Sequence, residues 1–302
     1  MKQLLTSLTN RAATRLAQAI AQQRVPRQDD PDRALQIMLT LQYQERAKAG
    51  LLAHRFSDIE FSRYSQNGED GILLYIFALI GYTNKHVVEM CAGDGIECNA
   101  ANLIINHGWK GLLFDGNEQA IQRGKAFYAQ QTNAWRLRRL PPQLVQAWIT
   151  AENVNDLIAK NGFGGEIDLF SLDMDGVDYW IWKALTCIQP RVVVVEYNNR
   201  WSAGQSVTVP YQHDFAAKGA SVDGAGYFGA SLLAFKRLAQ QKGYRLIGAN
   251  GPNTNAFFMR QDVGQAFFPE VTVASCLDSD YAHYQQQTKY PLIQNKPTVT
   301  VE

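Results

Sequence analysis

Val87-Val88-Glu89-Met90-Cys91-Ala92-Gly93-Asp94-Gly95-Ile96-Glu97-Cys98-Asn99 runs from a β-branched stretch into an acid, then a turn of small residues, then a helix start. Valines suit a buried strand. Glycines let a ligand approach the backbone closely, and the following helix offers unpaired N–H groups at its start. At the strand end, Glu89 can accept a hydrogen bond from a ligand amine or hydroxyl. About twenty residues on, Gly111-Leu112-Leu113-Phe114-Asp115 repeats a buried strand ending in an acid, where a nucleotide-type fold holds ribose hydroxyls. Strand, turn, helix, strand and acid in this order predict an α/β, Rossmann-like sheet with helices on both faces.

The rest of the chain fits around that unit. Downstream, a helix is expected over 118–130, a third strand over 134–140, a helix capped by Thr150, and a fourth strand over 166–173 ending in Asp173. The run Val192-Val193-Val194-Val195 reads as a central strand buried on both faces. A long polar connection over 199–226 precedes a helix over 228–241, and strands at 244–247 and 256–259 make an antiparallel finish. Upstream, Leu5, Leu8, Ala12, Leu16 and Ile20 recur at helical spacing among Lys2, Arg11, Arg15 and Arg24. Such a basic amphipathic segment suits packing on its own domain, a dimer contact or a membrane surface, and it shares the acid-poor, Arg-bearing character of a transit peptide. A second helix is expected over 32–54, burying Ala34, Ile37, Met38, Leu41 and Ala47. The segment Ser65-Gln66-Asn67-Gly68-Glu69-Asp70-Gly71 reads either as a capped helix start or as a polar lip over the ligand pocket. These divisions give an N-terminal helical extension (1–55), a catalytic-type domain (56–262) and a C-terminal extension (263–302).

The chain has 302 residues, 46% of them hydrophobic, so a sizeable core is within reach. A net charge of +1 gives no reason to expect nucleic acid as the main partner. Cys91, Cys98, Cys187 and Cys276 show no metal-knuckle spacing, which fits reduced thiols and a cytoplasmic location. No apolar run is long and charge-free enough to span a bilayer.

In open α/β sheets, ligands bind outside the carboxyl ends of the strands. Glu89, Asp115, Asp173, Asp175 and Glu196 all fall there, although clustered carboxylates repel and raise one another's pKa. Helix capping and solvent exposure are one account of them. A divalent cation is another, with Asp173, Asp175, Glu196 and Asn198 as an oxygen set suited to Mg²⁺. His213, beside Asp214 in the long connection, is the candidate general base, with Asp175 as the other proton acceptor.

Taken together, these residues resemble the FkbM-like family of class I S-adenosylmethionine-dependent methyltransferases. The resemblance rests on the stretch from Val88 to Gly95 and on Gly108-Trp109-Lys110-Gly111-Leu112-Leu113-Phe114-Asp115. It extends to Ser171-Leu172-Asp173-Met174-Asp175-Gly176 with Asp178-Tyr179-Trp180, and to Val195-Glu196-Tyr197-Asn198. Tyr227-Phe228-Gly229-Ala230-Ser231-Leu232, Asn255-Ala256-Phe257-Phe258 and the 65–71 segment complete it, so that it spans about residues 60–262. Cys91 departs from the pattern, standing where the first glycine of the turn is usual. The family implies a seven-stranded sheet with its last strand antiparallel, and methyl transfer from a sulfonium to an oxygen of a saccharide or secondary metabolite. It implies Glu89 at the cofactor's amino-acid end, Asp115 at the ribose, Gly93, Asp94 and Gly95 along the cofactor, and Gln66 over it. Asn99, Gly116, Asn117 and Asp173 join that cofactor set.

Two other functions share this turn. A nicotinamide-dependent oxidoreductase lacks support, since the Gly-x-Gly-x-x-Gly spacing is absent and the strand-end acids would repel a pyrophosphate. A non-catalytic protein binding a glycan or another partner on the same fold is the second. A homo-oligomer acting on a small-molecule or glycan acceptor is the expected assembly.

Overall fold

In the computed structural model, which describes residues 31–52, 55–130, 141–215 and 226–302, the first described element is α1 (Pro31–Lys48). It is followed by α2 (Glu69–Ile80), β1 (His86–Met90), α3 (Ala101–His107), β2 (Lys110–Asp115), α4 (Glu118–Gln130) and β3 (Gln143–Gln146). Then come α5 (Val154–Lys160), β4 (Gly165–Leu172), α6 (Asp178–Ala184), β5 (Ile188–Glu196) and the short β6 (Val207–Thr208). The chain continues with α7 (Leu232–Gln241), β7 (Tyr244–Ala249), β8 (Asn255–Arg260), α8 (Asp280–Thr288), α9 (Tyr290–Ile293) and β9 (Val299–Thr300).

Seven strands form one sheet in the order β3-β2-β1-β4-β5-β8-β7. Pairings from β3 through β5 are parallel, and β8 runs antiparallel to both its neighbours. The fold is therefore the α/β, Rossmann-like sheet expected from the sequence, with its last strand reversed.

Both faces of the sheet are apolar because both are covered. Alternate residues Val88, Met90, Phe114, Phe170, Val193 and Val195 pack with α5, α6 and α7. Val87, Leu113, Leu169, Val192 and Val194 pack with α2, α3 and α4. Period-two alternation sends these side chains to opposite faces. The all-valine run thus lies in β5, at the centre of the sheet.

Three expectations need correction. The third strand is Gln143–Gln146; the stretch 134–140 lies outside the described residues, as does the 1–25 segment. The helix expected over 32–54 ends at Lys48, and Ala34, Ile37, Met38 and Leu41 are exposed on it. Its inward side instead presents Gln36, whose amide bonds Asn102 on α3, and Tyr43, whose ring meets Tyr75 on α2 edge-on at 4.9 Å. The helix start read at the end of the Val87–Asn99 stretch falls instead at Ala101, because the N–H groups of Asn99 and Ala100 are drawn to a strand-end carboxylate described below.

Residues 263–302 pack against the sheet. Arg245 on β7 donates to the carbonyls of Phe268 and Val263, Lys236 pairs with Glu270, and β9 pairs antiparallel with β6. Among the described residues, no helix is long and apolar enough to cross a membrane.

Candidate active site

At the end of β1, Glu89 is buried and accepts hydrogen bonds from the N–H groups of Asn99 (3.0 Å) and Ala100 (2.7 Å) and from Ser171 Oγ (3.1 Å). Burial pushes its carboxyl up, and these donors pull it back. Glu89 therefore clamps the start of α3 onto β1 and β4. Asn99 completes the clamp by donating to Ser171 Oγ. Beside it, the Asp115 carboxylate at the end of β2 accepts from Gly93 N (2.9 Å) and Asn117 N (2.7 Å). Asn117 in turn caps α4 by accepting from Ala120 N. Asp94 Oδ1 accepts from Ile96 N. A Cβ at Gly124 would lie 2.1 Å from the Asp94 carbonyl oxygen, so only glycine lets α4 press against the turn. The turn is held in shape from both sides.

Cys91 has φ +56°, the left-handed region that favours glycine. The turn thus takes a backbone conformation suited to glycine while carrying a side chain that strains it, a cost of the kind stored at functional sites. Its thiol is open to solvent yet ringed by protein. That crowding pushes it up, and so do Asp178, Asp115, Asp173 and Asp175. Asp115 ends β2, Asp173 and Asp175 follow β4 and Asp178 opens α6, so Cys91, just past β1, stands between the two halves of the site.

The second half is acidic. Asp173, Asp175 and Glu196 each bring a carboxylate oxygen within 4.8 Å of the others. Asp178 shapes the turn that carries two of them, accepting from Met174 N (2.8 Å) and Gly176 N (3.0 Å). Asp175 sits at φ +51° and is the exposed member. Burial, then the neighbouring Asp178, push Asp173 up to about 7, and burial pushes Asp178 up to about 6. Glu196 is pushed up by burial and then by Asp173, and Asp175 by burial. Glu196 Oε2 is buried with no hydrogen-bond partner among the described residues. The donor set suits a hard divalent cation, because the oxygens are close, anionic and incompletely satisfied.

Asn198 does not join this set. Its Nδ2 donates to the carbonyls of Gly226 and Phe228, and its Oδ1 accepts from Arg200, so it fastens the loop over the strand end. His213 is exposed, and its carbonyl accepts from Trp148 Nε1 at 2.8 Å. Among the described residues its imidazole has no hydrogen bond, to Asp214 or to anything else. It lies with Thr150, Glu152, Tyr211, Gln212 and Asp214 around a cavity of about 610 Å³.

In the 65–71 segment both readings have a part. Asp70 accepts from the N–H groups of Arg63, Tyr64 and Ser65, Ser65 Oγ accepts from Asp70 N, and Glu69 accepts from Asn250 and Asn255. This is a capped helix start tied to the β7–β8 turn. Only Gln66 reaches outward, donating to Glu97 beside the Gly-rich turn at 2.8 Å.

Trp148 is an aromatic at this sheet edge that the sequence reading did not single out. It follows β3, is 55% exposed, and lies with its ring against Gly116. An aromatic just past a strand end was the available signal, hidden by placing the third strand upstream.

No protein-family model matches the chain, and no curated protein matches it in sequence. Solved structures with similar folds include the methyltransferase domain of bacterial CtHen1 (15% identity, 62% of this chain and 94% of that one, TM-score 0.39). Another is a S-adenosylmethionine-dependent methyltransferase from Clostridium acetobutylicum (9% identity, 62% and 89%, TM-score 0.37). A third is PKMT2 from Rickettsia typhi in complex with AdoHcy (12% identity, 68% and 55%, TM-score 0.42). Likeness at this level does not speak to substrate or chemistry.

Proposed function

We propose that the protein is a S-adenosylmethionine-dependent methyltransferase that methylates an oxygen, assisted by a divalent cation. The observation that carries the reading is that a braced Gly-rich turn after β1 and an acidic trio at the ends of β4 and β5 lie at the same edge of adjacent, in-register strands. One half suits a nucleoside with a charged amino-acid arm; the other suits a cation and the hydroxyl to be activated. Asp115 keeps acceptor capacity for ribose hydroxyls beyond its two backbone bonds, and the exposed Trp148 offers a flat face beside Gly116 for a purine. Glu89 acts at one remove, since its carboxylate is engaged by α3 and Ser171.

When bound, S-adenosylmethionine supplies an electrophilic methyl on sulfur, and a divalent cation lowers the pKa of a nearby hydroxyl. The protein's share is positional: the turn, Asp115 and the trio fix where an acceptor oxygen can stand relative to the methyl. Asp175, the exposed acid of the trio, would take up the acceptor's O–H proton, while a bound S-adenosylmethionine would supply the methyl group and the thioether leaving group.

Calorimetric titration of S-adenosylmethionine into the wild-type protein and the Asp115→Ala variant tests this. Micromolar affinity falling at least about tenfold in the variant, equivalent to roughly 1.4 kcal/mol, is the expected result. Absence of binding to the wild type would refute the reading.

A further inference from the structure

The buried and half-buried arginines of the described fold are well satisfied, with one exception. Arg191 pairs with Asp168 at 2.9 Å and donates to the carbonyls of Ile80 and Gly81. Arg245 donates to the carbonyls of Phe268, Arg260 and Val263. Arg260 pairs with Glu166 and Asp262. Arg200 differs. Its guanidinium makes one hydrogen bond, from Nη1 to Asn198 Oδ1 at 3.2 Å, and no carboxylate lies within ion-pair distance among the described residues. Its Nε is buried without a partner.

This cation is nevertheless held in place. The Phe228 ring lies 5.6 Å from it, and a Cβ at Gly226 would fall 2.3 Å from its central carbon. Asn198 fixes both neighbours by bonding the carbonyls of residues 226 and 228. The place is informative too: Arg200 follows Glu196, the last residue of β5, by four positions, and the Glu196 carboxyl acts on its guanidinium. A planar fork of donors, pre-positioned, matched by no carboxylate among the described residues and close along the chain to the acidic trio, suits a planar or tetrahedral oxyanion.

We propose that Arg200 anchors an anionic oxyacid group of the acceptor, a carboxylate, phosphate or sulfate, so that the hydroxyl to be methylated belongs to an acidic molecule. The identity of Arg200's ligand as an acceptor rests on the methyltransferase reading; its affinity for oxyanions does not. The trio would repel such a molecule if left bare. A cation there and Arg200 beside it together offset the negative charge, which favours an acidic acceptor over a neutral one once the cation is bound.

The test titrates inorganic phosphate into the full-length protein in the presence of Mg²⁺, with chloride at matched ionic strength as the control. Arg200→Gln and Arg200→Lys variants are compared with wild type, and S-adenosylmethionine is titrated into the same preparations. Phosphate affinity is expected to fall at least tenfold in Arg200→Gln and at least threefold in Arg200→Lys, which keeps the charge but loses the fork. S-adenosylmethionine affinity should stay within twofold of wild type. Either variant suffices if the other does not fold. Undiminished phosphate affinity in a folded variant, or no phosphate binding by the wild type, overturns the proposal and leaves Arg200 as a fixed counter-charge to Glu196. Phosphate binding that depends on Arg200 in a protein that ignores S-adenosylmethionine would instead overturn the methyltransferase reading alone.

Discussion

Asp173 is where the chemistry of the site can be read from stability. Burial, then Asp178, hold its carboxyl up at about 7, and burial holds Asp178 at about 6. Unfolded carboxyls titrate near 4. Between about pH 4 and those folded values the native protein holds protons that the unfolded chain has released. The contribution of these two groups to stability therefore falls as pH rises through this window. In the metal-free protein, the share of thermal stability carried by these groups should decline from about pH 5 to about pH 7.5. Asp173→Asn keeps the shape, removes one charge and should flatten that decline. At about pH 8, where the wild type carries the full penalty, the variant should be more stable by roughly 1–2 kcal/mol, the scale of relieving a buried charge. Adding Mg²⁺ or Mn²⁺ should raise the wild-type Tm and leave the variant's nearly unchanged. A variant less stable than the metal-free wild type at about pH 8 would show that the trio is not mutually repelling.

At the scale of elements, α1 is docked by polar contacts. Gln36 bonds Asn102 in both directions (3.2 and 3.0 Å) and reaches His107 Nε2 at 2.7 Å, while Arg33 donates to the Asn106 carbonyl. Burial, then Lys85 and Arg33, drive His107 down to about 4, so the native imidazole is neutral where the unfolded one is protonated. Its contribution is lost as pH falls from about 6.5 to about 4. Gln36→Ala leaves Asn102 and His107 without this partner at a cost of roughly 1–3 kcal/mol. The loss should appear in hydrogen exchange as faster opening of residues 31–48, with the central strands unchanged. Uniformly faster exchange across the sheet would contradict so local an effect. The same helix explains a limit of sequence reading. Periodicity finds a helix, but it assigns the apolar side inward, and here Gln36 and Tyr43 face in while Leu35, Met38 and Leu41 face out. The central strands were legible because both their faces are apolar. The four-residue β3, Gln-Leu-Val-Gln, carries too little pattern to locate, and Trp148 was missed with it. Asp173, Asp175 and Glu196 were legible as strand-end acids, but the engagement of Asn198 depends on loops distant in sequence.

For the whole molecule, the C-terminal strand braces the acidic half of the site through a continuous series of contacts. Val299 and Thr300 pair with Thr208 and Val207, and the Val301 carbonyl accepts from Ser206 Oγ (2.7 Å) and Arg237 Nη1 (2.9 Å). Thr208 bridges to Ala230, and Gly229 N donates to the Gly176 carbonyl at 2.8 Å, next to Asp175. Among the described residues, the Gly-rich turn, braced by Glu89, Asp115 and α4, shares none of these links. Removal of residues 299–302 strips one side of β6 and frees the 229–231 segment to pull away from the acidic turn. The expected outcome is asymmetric. S-adenosylmethionine affinity should remain within about twofold of wild type, whereas the rise in Tm produced by Mg²⁺ should shrink by at least half, because the trio is no longer pre-organised. The global Tm should drop by a few degrees, corresponding to roughly 1–2 kcal/mol for the lost pairing. Equal losses of cofactor and metal response would mean that the truncation acts through the fold as a whole. No change in either would mean that β6 holds its place without β9, and the acidic turn would then be braced chiefly by Asp178.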